Sequence, residues 1–187
     1  NYGLPNATTS SDYAQSNADL RYWNESYPGL GISNPAIHSC KDLPNVNEMT
    51  WYAAMGDPRW DADQLWTTMG HLYKGGMWFK KKAYISGYNS NTAVDGTDWR
   101  TNGNSHSWSA SQTLPSAADA GKYFYLPALG YYDSGQLYNV GSDGCYWSSS
   151  ANAWNLSYGA YSLYFNSGSV NVHNVSRSHG RRVDGFK

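Results

Sequence analysis

The stretch YWSSSANAWNLSYGAYSLYFNSGSVNVHNVSRSHGRRVDGFK, residues 146–187, decides how this chain folds. Apolar residues recur in it at every second position on both sides of a turn: Tyr161, Leu163, Phe165, Val170 and Val172. Because a β-strand sends successive side chains to opposite faces, these residues can share one face that packs on a core. Ser, Tyr, Asn and His occupy most of the positions between them. The alternation therefore predicts a hairpin with one buried face and one polar face.

The composition of the chain is typical of a binding surface, or of an extracellular β-rich protein. Charged residues make up 14% of the 187 residues, while Trp (9) and Tyr (17) are abundant; soluble domains usually carry about 25% charged residues. Antibody paratopes share this composition, since aromatic rings give rigid contact area and small polar residues give adaptable hydrogen bonds. A chain of this length is expected to form one domain, or one domain with an arm.

The charge and the hydropathy of the chain argue against two classes of partner. The formal net charge is −1 and the only basic run is Lys80–Lys82, which is more typical of a solvated or edge-strand segment than of a nucleic-acid site. No run approaches the roughly 18 apolar residues of a membrane span. We therefore expect neither a nucleic-acid partner nor a direct membrane span.

Two helical patterns lie ahead of a region of strands. The first has apolar residues at helical spacing, an N-terminal cap in Asn45 with Glu48, and a stop at Gly56: Val46, Met49, Tyr52, Ala53 and Met55. The second is expected to begin at Asp61 or Asp63 and to end at Gly75-Gly76, with one apolar face: Leu65, Met69, Leu72 and Tyr73.

The order of these patterns predicts an α+β domain. Residues 1–36 are rich in Asn, Ser, Gly and Tyr and are interpreted as an irregular N-terminal arm. Residues 37–187 then form one domain in which two helices pack on short, irregular antiparallel strands. A polar stretch at 86–115 is too long for an empty connection and is interpreted as a functional or tightly packed loop.

Three segments near the C-terminal end resemble a known family. They are LPALGYYDSGQLYNVGSDGCYWSSSA at 126–151, AYSLYFNSGSVNV at 160–172, and GRRV at 180–183. They are similar to C-type-lectin-fold domains related to the formylglycine-generating-enzyme branch, above all to the variable proteins of diversity-generating retroelements and, distantly, to the phage major tropism determinant. The resemblance covers residues 122–187 and extends loosely to Leu43-Pro44 and Glu48. It implies a C-type lectin-like fold.

The resemblance also implies a division of residues 146–187 into scaffold and display. In such proteins the C-terminal segment is rewritten at adenine-containing codons, while scaffold positions stay unchanged. The scaffold positions implied are Trp147, Ser148, Ser149, Tyr161, Leu163, Phe165, Val170, Gly180 and Val183. The positions implied to face a ligand, here called the display residues, are Trp154, Asn155, Leu156, Ser157, Tyr158, Ser162, Tyr164, Asn166, Asn171, His173, Asn174, Ser176, Ser178 and His179.

The sequence gives little support for catalysis, a metal or a cofactor. A lectin calcium site needs Glu-Pro-Asn or Gln-Pro-Asp with Trp-Asn-Asp, and none of these occurs. Asp57, Asp61 and Asp63 are interpreted as turn and cap residues rather than metal ligands. Cys40 and Cys145 are either a disulfide or two free thiols, with no second thiol near Cys145 for enzymatic thiol chemistry.

We therefore expect a non-enzymatic protein that binds a protein or glycan ligand on another cell surface. It would act as a bacterial surface adhesin or a phage receptor-binding protein, placed extracellularly, on the cell surface or on a phage particle, and able to form oligomers. Two alternatives remain open: an enzyme of the formylglycine-generating type, and a structural surface domain without a specific ligand. Hot spots of binding surfaces are rich in Tyr and Trp, so Trp154, Tyr158 and Tyr164 are the first candidates for contact.

Overall fold

A computed structural model describes residues 40–68, 70–133, 136–152, 159–177, 179–183 and 186. The predicted arm at 1–36 lies outside these residues. The described elements are, in chain order, α1 (Val46–Met55), β1 (Arg59–Thr68), β2 (His71–Lys80), α2 (Trp99–Asn102), β3 (His106–Ser109), β4 (Tyr123–Pro127), β5 (Tyr131–Asp133), β6 (Gln136–Tyr138), β7 (Gly144–Ala151), β8 (Gly159–Phe165) and β9 (Ser169–Ser176), with short 3-10 turns at Lys82–Tyr84 and Ala120–Lys122. No helix of the described ranges is long and apolar enough to cross a membrane.

The first predicted helix is confirmed as α1. The side chain of Asn45 accepts a hydrogen bond from the backbone N of Glu48 at 3.1 Å, and the Glu48 carboxylate accepts one from the backbone N of Asn45 at 2.8 Å. This reciprocal capping box satisfies two backbone donors that the first helical turn leaves without partners. The helix ends at Gly56, where a Cβ would lie 2.2 Å from the carbonyl oxygen of Tyr52.

The second predicted helix is wrong: its residues form the antiparallel β1–β2 hairpin. Trp66 stacks on Tyr73 across the hairpin with ring centroids 5.0 Å apart, and its indole N–H donates to the carbonyl of Gly75 at 2.7 Å. Leu65 and Leu72, expected on a buried helical face, are 56% and 65% exposed. The apolar residues three and four positions apart have helical spacing, which explains the wrong prediction. In the structure, cross-strand pairing of aromatic rings stabilises the hairpin instead.

The glycines expected to end that helix lie inside β2. A Cβ at Gly76 would meet the hydroxyl oxygen of Tyr125 at 2.3 Å, so glycine allows the close approach of β4. The one further helix among the described residues, α2, has four residues. The described part of the chain is therefore mostly β-sheet with one helix of more than two turns, and the predicted two-helix α+β arrangement is wrong.

The strands form three small sheets, ordered β1-β2-β4, β3-β9-β8-β7 and β5-β6. In the second sheet Tyr146, Leu163 and Val172 lie opposite one another on neighbouring strands. The five apolar residues that alternate in the sequence (Tyr161, Leu163, Phe165, Val170 and Val172) are all fully buried, so the predicted core face is confirmed. Helix α1 packs on this inner face and closes the core.

The C-terminal residues 180–182 pair with the open edge of β7. The backbone N of Trp147 donates to the carbonyl of Arg182 at 2.8 Å, and the backbone N of Arg182 donates to the carbonyl of Cys145 at 3.1 Å. Gly180 exchanges two backbone hydrogen bonds with Tyr132 of β5, each 2.8 Å long. The same short segment thus covers a sheet edge and joins it to the β5–β6 hairpin.

A β-bulge interrupts β7 between Trp147 and Ala151. Within it the backbone N of Ser149 donates to the carbonyl of Pro44 at 3.0 Å, and the hydroxyl of Ser150 accepts from the backbone N of Val46 at 3.0 Å. The bulge therefore turns part of the strand toward the start of α1 and satisfies one of the helix's free backbone donors.

Candidate ligand-binding face

The polar residues predicted to alternate with the core residues lie on the outer face of β7, β8 and β9. The register places Trp147, Ser162 and His173 side by side in one row across the three strands. The adjacent row contains Cys145, Tyr164 and Asn171. Four display residues (Ser162, Tyr164, Asn171 and His173) therefore share one face, as the alternation requires.

Ser162 differs from Trp147 and His173 in its own row because it is fully buried. Its hydroxyl accepts a hydrogen bond of 3.0 Å from Nη1 of Arg181. Arg181 belongs to the C-terminal segment, and its side chain lies over this row of residues. The guanidinium carbon of Arg181 lies 5.5 Å from the ring centroids of both Tyr131 and Trp147. Ser162 is therefore covered by Arg181 in this structure, and its hydroxyl is used as an acceptor; its role in ligand contact stays a prediction.

Tyr164 is half-buried and held in a hydrogen-bonded network. Its hydroxyl donates to Oδ2 of Asp143 at 3.0 Å, and the side-chain amide of Asn139 donates to the same oxygen at 2.6 Å. Burial is the main reason why the pKa of Tyr164 lies above its ordinary value. The ring is therefore a neutral, fixed element of the outer face.

Two histidines border this network and are held in the neutral form. Burial, with a contribution from the charge of Arg181, lowers the pKa of His173 to about 4, and its ring lies 5.9 Å from that of Tyr164. Burial also lowers the pKa of His179, whose Nε2 is 3.8 Å from Oδ1 of Asp133 and whose ring lies 5.8 Å from that of Tyr131. Neutral imidazoles beside aromatic rings give the face both hydrogen-bonding and apolar character.

Three further display residues among those that the structure describes have other positions or roles. Asn166 is a turn residue, since its Oδ1 accepts from the backbone N of Gly168 at 2.9 Å and of Ser169 at 3.0 Å, and its side-chain amide donates to the hydroxyl of Tyr164 at 3.4 Å. Asn174 and Ser176 occupy the alternate positions of β9, which belong to the inner face. Asn174 pairs with Tyr161 of β8 and is exposed. Trp154, Asn155, Leu156, Ser157, Tyr158 and Ser178 lie outside the described residues.

Besides Trp147 and Cys145, residues on or against the outer face that were not among the display residues include Tyr131, Arg181 and Arg177. Arg181 is the most important, because it contacts the rings of Tyr131 and Trp147 and the hydroxyl of Ser162. The feature of the sequence that could have indicated Arg181 is its adjacent arginine, Arg182, in a chain with few charged residues. Only the fold reveals that one of the pair turns inward.

The described thiols are free, and the described carboxylates Asp57 and Asp61 make local contacts. Cys40 and Cys145 are both free, which decides between the two alternatives left open by the sequence. Burial raises the pKa of Cys145 to about 11, so its thiol stays protonated at neutral pH. Asp57 pairs with Arg59 at 3.0 Å, and Asp61 accepts from backbone groups of its own bulge, as turn residues do. In the part of the chain that the structure describes, no three His, Cys, Asp or Glu side chains are grouped to hold a metal ion.

The comparison with protein families gives one similarity. A family model described as a domain of unknown function, DUF8237, matches residues 99–186, which include β3 to β9 and the outer face. No curated protein and no solved structure matches the chain. The similarity therefore covers the C-terminal sheet and its outer face without α1 and the β1–β2 hairpin.

Proposed function

We propose that this chain is a non-enzymatic binding protein, which uses the outer face of the C-terminal sheet to contact a protein or glycan on another cell surface. The observation that carries the proposal is the contrast across β7, β8 and β9. One face is a closed apolar core, whereas the other presents aromatic rings, neutral imidazoles and amides that are only partly buried. Surfaces that bind with high affinity are built from such rigid aromatic and adaptable polar groups.

The rigidity of the face supports this role. Tyr164 is fixed through Asp143, and Arg181 is fixed through Ser162 and two rings. A partner that docks on fixed side chains loses less conformational entropy than one that must order them. Asn171 and His173, which are half-buried on β9, then supply partly accessible amide and ring contacts.

The resemblance to variable proteins of diversity-generating retroelements supports a more specific form of the proposal. In that form the chain is a bacterial surface adhesin or a phage receptor-binding protein, and substitutions on the outer face change its ligand while the inner face stays constant. Its location is then the cell surface, the extracellular space or a phage particle. Presentation in several copies raises the avidity of weak single sites.

The geometry is less compatible with an enzyme of the formylglycine-generating type. Such chemistry needs a thiolate that can reach a substrate, whereas Cys145 is fully buried and its pKa is about 11. The alternative of a surface domain without a ligand makes a different prediction, namely that no change on the outer face affects binding to any cell or glycan.

The test measures binding of the labelled chain to a panel of intact bacterial cells and to a glycan array. We expect the double variant Asn171→Ala, His173→Ala to lose at least about tenfold in affinity for whatever the wild type binds, since truncation at hot spots costs 1–2 kcal/mol or more. The control is Leu72→Ala, at an exposed position of the distant β2. Undiminished binding by the double variant, or no binding by the wild type, contradicts the proposal.

The diversification part has a separate test in the coding DNA. We expect a near-identical non-coding repeat of the segment for residues 146–187 beside a reverse-transcriptase gene, with differences confined to adenines. A genome without that repeat contradicts diversification and leaves the binding face to be judged by the array.

A further inference from the structure

A cavity of about 400 Å³ opens beside the outer face, between the β7 bulge and the C-terminal segment. Its wall combines apolar side chains, the three serines of the bulge and two arginines, Arg177 and Arg181. None of the described residues that line it is acidic. The cavity is therefore small, partly apolar and positively charged, with a volume in the usual range for small-molecule sites.

Arg181 is a largely buried cation without a counter-ion in the described part of the chain. Nη1 donates to Ser162, Nε is buried without a hydrogen-bond partner, and no described carboxylate lies within ion-pair distance. Burial lowers the pKa of the guanidinium, and it raises the pKa of the neighbouring Cys145 thiol to about 11, so that this thiol stays neutral. A buried charge that is unpaired is costly for a protein to keep.

The aromatic neighbours of Arg181 offset only part of this cost. The ring centroids of Tyr131 and Trp147 lie 5.5 Å from the guanidinium carbon, which is within the range of cation–π attraction. These rings hold the guanidinium in place at the cavity but supply no negative charge. A fixed, planar guanidinium that lines a cavity and lacks a carboxylate partner among the described residues is suited to bind a carboxylate with its remaining N–H donors.

The other walls suggest what carries the carboxylate. Ser149 is exposed, and its hydroxyl makes no hydrogen bond to a residue of the described ranges. Ala151, Ala160 and Val183 add apolar surface, and Arg177, whose Nε donates to the carbonyl of Gly159 at 3.1 Å, adds a second positive charge. A compact ligand that carries hydroxyl groups and apolar C–H faces fits these walls better than a ligand with an extended aliphatic chain.

We propose that this cavity binds one acidic sugar residue, with its carboxylate on Arg181 and Arg177 and its ring against Trp147 and Ser149. The inference rests on the proposed function, because it names the ligand class for the binding face that adjoins the cavity. It assigns the recognition of charge to the arginines. Recognition of the surrounding glycan remains with Asn171 and His173.

The test is a titration with D-glucuronate, with D-glucose as the matched neutral ligand of the same ring, followed by NMR at the indole N–H of Trp147. We expect saturable binding of glucuronate and none of glucose. Arg177→Gln should weaken glucuronate binding by about tenfold, and Arg181→Lys, which keeps the charge and loses the planar fork, by more than that. Arg100→Gln removes the same charge at an exposed site on α2 and should change nothing.

The outcomes separate this inference from the proposed function. Equal binding of glucose, absence of glucuronate binding, or full affinity in Arg177→Gln overturns the acidic-sugar assignment. Arg177→Gln provides that answer even if Arg181→Lys fails to fold. A wild-type chain that binds cells or glycans through Asn171 and His173 but ignores glucuronate leaves the binding face standing and removes only the sugar assignment.

Discussion

The two faces of the C-terminal sheet are made by alternate residues of the same strands and obey opposite rules. On the inner face Leu163 and Val172 are fully buried among apolar neighbours, and their contribution is packing. On the outer face Tyr164 and His173 are half-buried, and their positions are set by hydrogen bonds and ring contacts. A hydrocarbon core fails when volume is lost. A polar face is destabilised when one partner of a hydrogen-bonded pair is removed or gains a charge.

This difference teaches where substitutions are tolerated. Inner-face residues support the fold and leave no freedom in size, since interiors are packed like organic crystals. Outer-face residues divide into those that fix the surface, such as Arg181 and Tyr164, and those that decorate it, such as Asn171. A face that can change its ligand needs both kinds.

The largest effect is expected on the inner face. Leu163→Ala should lower the free energy of unfolding by about 2–5 kcal/mol, because it removes a fully buried side chain and leaves a cavity. The measurement is urea denaturation, with Leu72→Ala at a 65% exposed position as the matched control, expected to stay within about 0.5 kcal/mol of the wild type. A small effect of Leu163→Ala would mean that the inner face can collapse around the lost volume.

A smaller effect is expected from acid on the outer face. The pKa of His173 is about 4 in the folded protein and 6.5 in its ordinary state, so between these values the unfolded chain binds a proton that the folded chain does not. The free energy of unfolding should therefore fall as the pH falls through this window, by roughly 3 kcal/mol at most from His173. His179, whose pKa is also lowered, acts in the same direction.

The variant His173→Gln isolates this contribution. Comparing wild type and variant by urea denaturation at pH 7 and pH 4 cancels the titration of the other groups. We expect the wild type to lose more stability than the variant on acidification. An identical loss in both proteins would show that His173 takes up its proton in the folded state, and that the outer face is as open to water as an ordinary surface.

The smallest effect is expected from a single hydroxyl. Tyr164→Phe should lower the free energy of unfolding by roughly 1 kcal/mol, since it removes the hydrogen bond to Asp143 and leaves that carboxylate with fewer donors. Tyr138→Phe is the control, because the Tyr138 hydroxyl donates to Gln136 at an exposed site of the β5–β6 hairpin. If both variants behave alike, the Tyr164 network does not fix the face.

The sequence predicted local patterns well and long-range cover poorly. The capping box of α1 and the alternation of β8 and β9 follow from spacing alone, and both are present. The residues 61–76 were misassigned because Leu65, Leu72 and Tyr73 have helical spacing, while the pairing of Trp66 with Tyr73 depends on a partner strand that spacing does not show. Local pattern cannot reveal a contact made by distant residues.

The same limit applies to the candidate site. Alternation placed Ser162 on the outer face, but it does not tell that Arg181, from the C-terminal segment, returns to cover it. Nor does it tell that Asn174, which pairs with the fully buried Tyr161, is itself exposed. The alternation along a strand predicts the face to which a side chain points. The residues packed on that face decide whether the side chain is exposed to water.

The bulge in β7 has a consequence for anyone who designs a substitution library on this scaffold. Ser148 accepts from the backbone N of Ser150 at 3.0 Å, and Ser150 accepts from the first turn of α1, so both hydroxyls are needed by the backbone. Ser149 hydrogen-bonds to the carbonyl of Pro44 through its backbone N, and its side chain is exposed. Randomising Ser149 alone therefore alters the wall of the cavity at the lowest risk of misfolded clones.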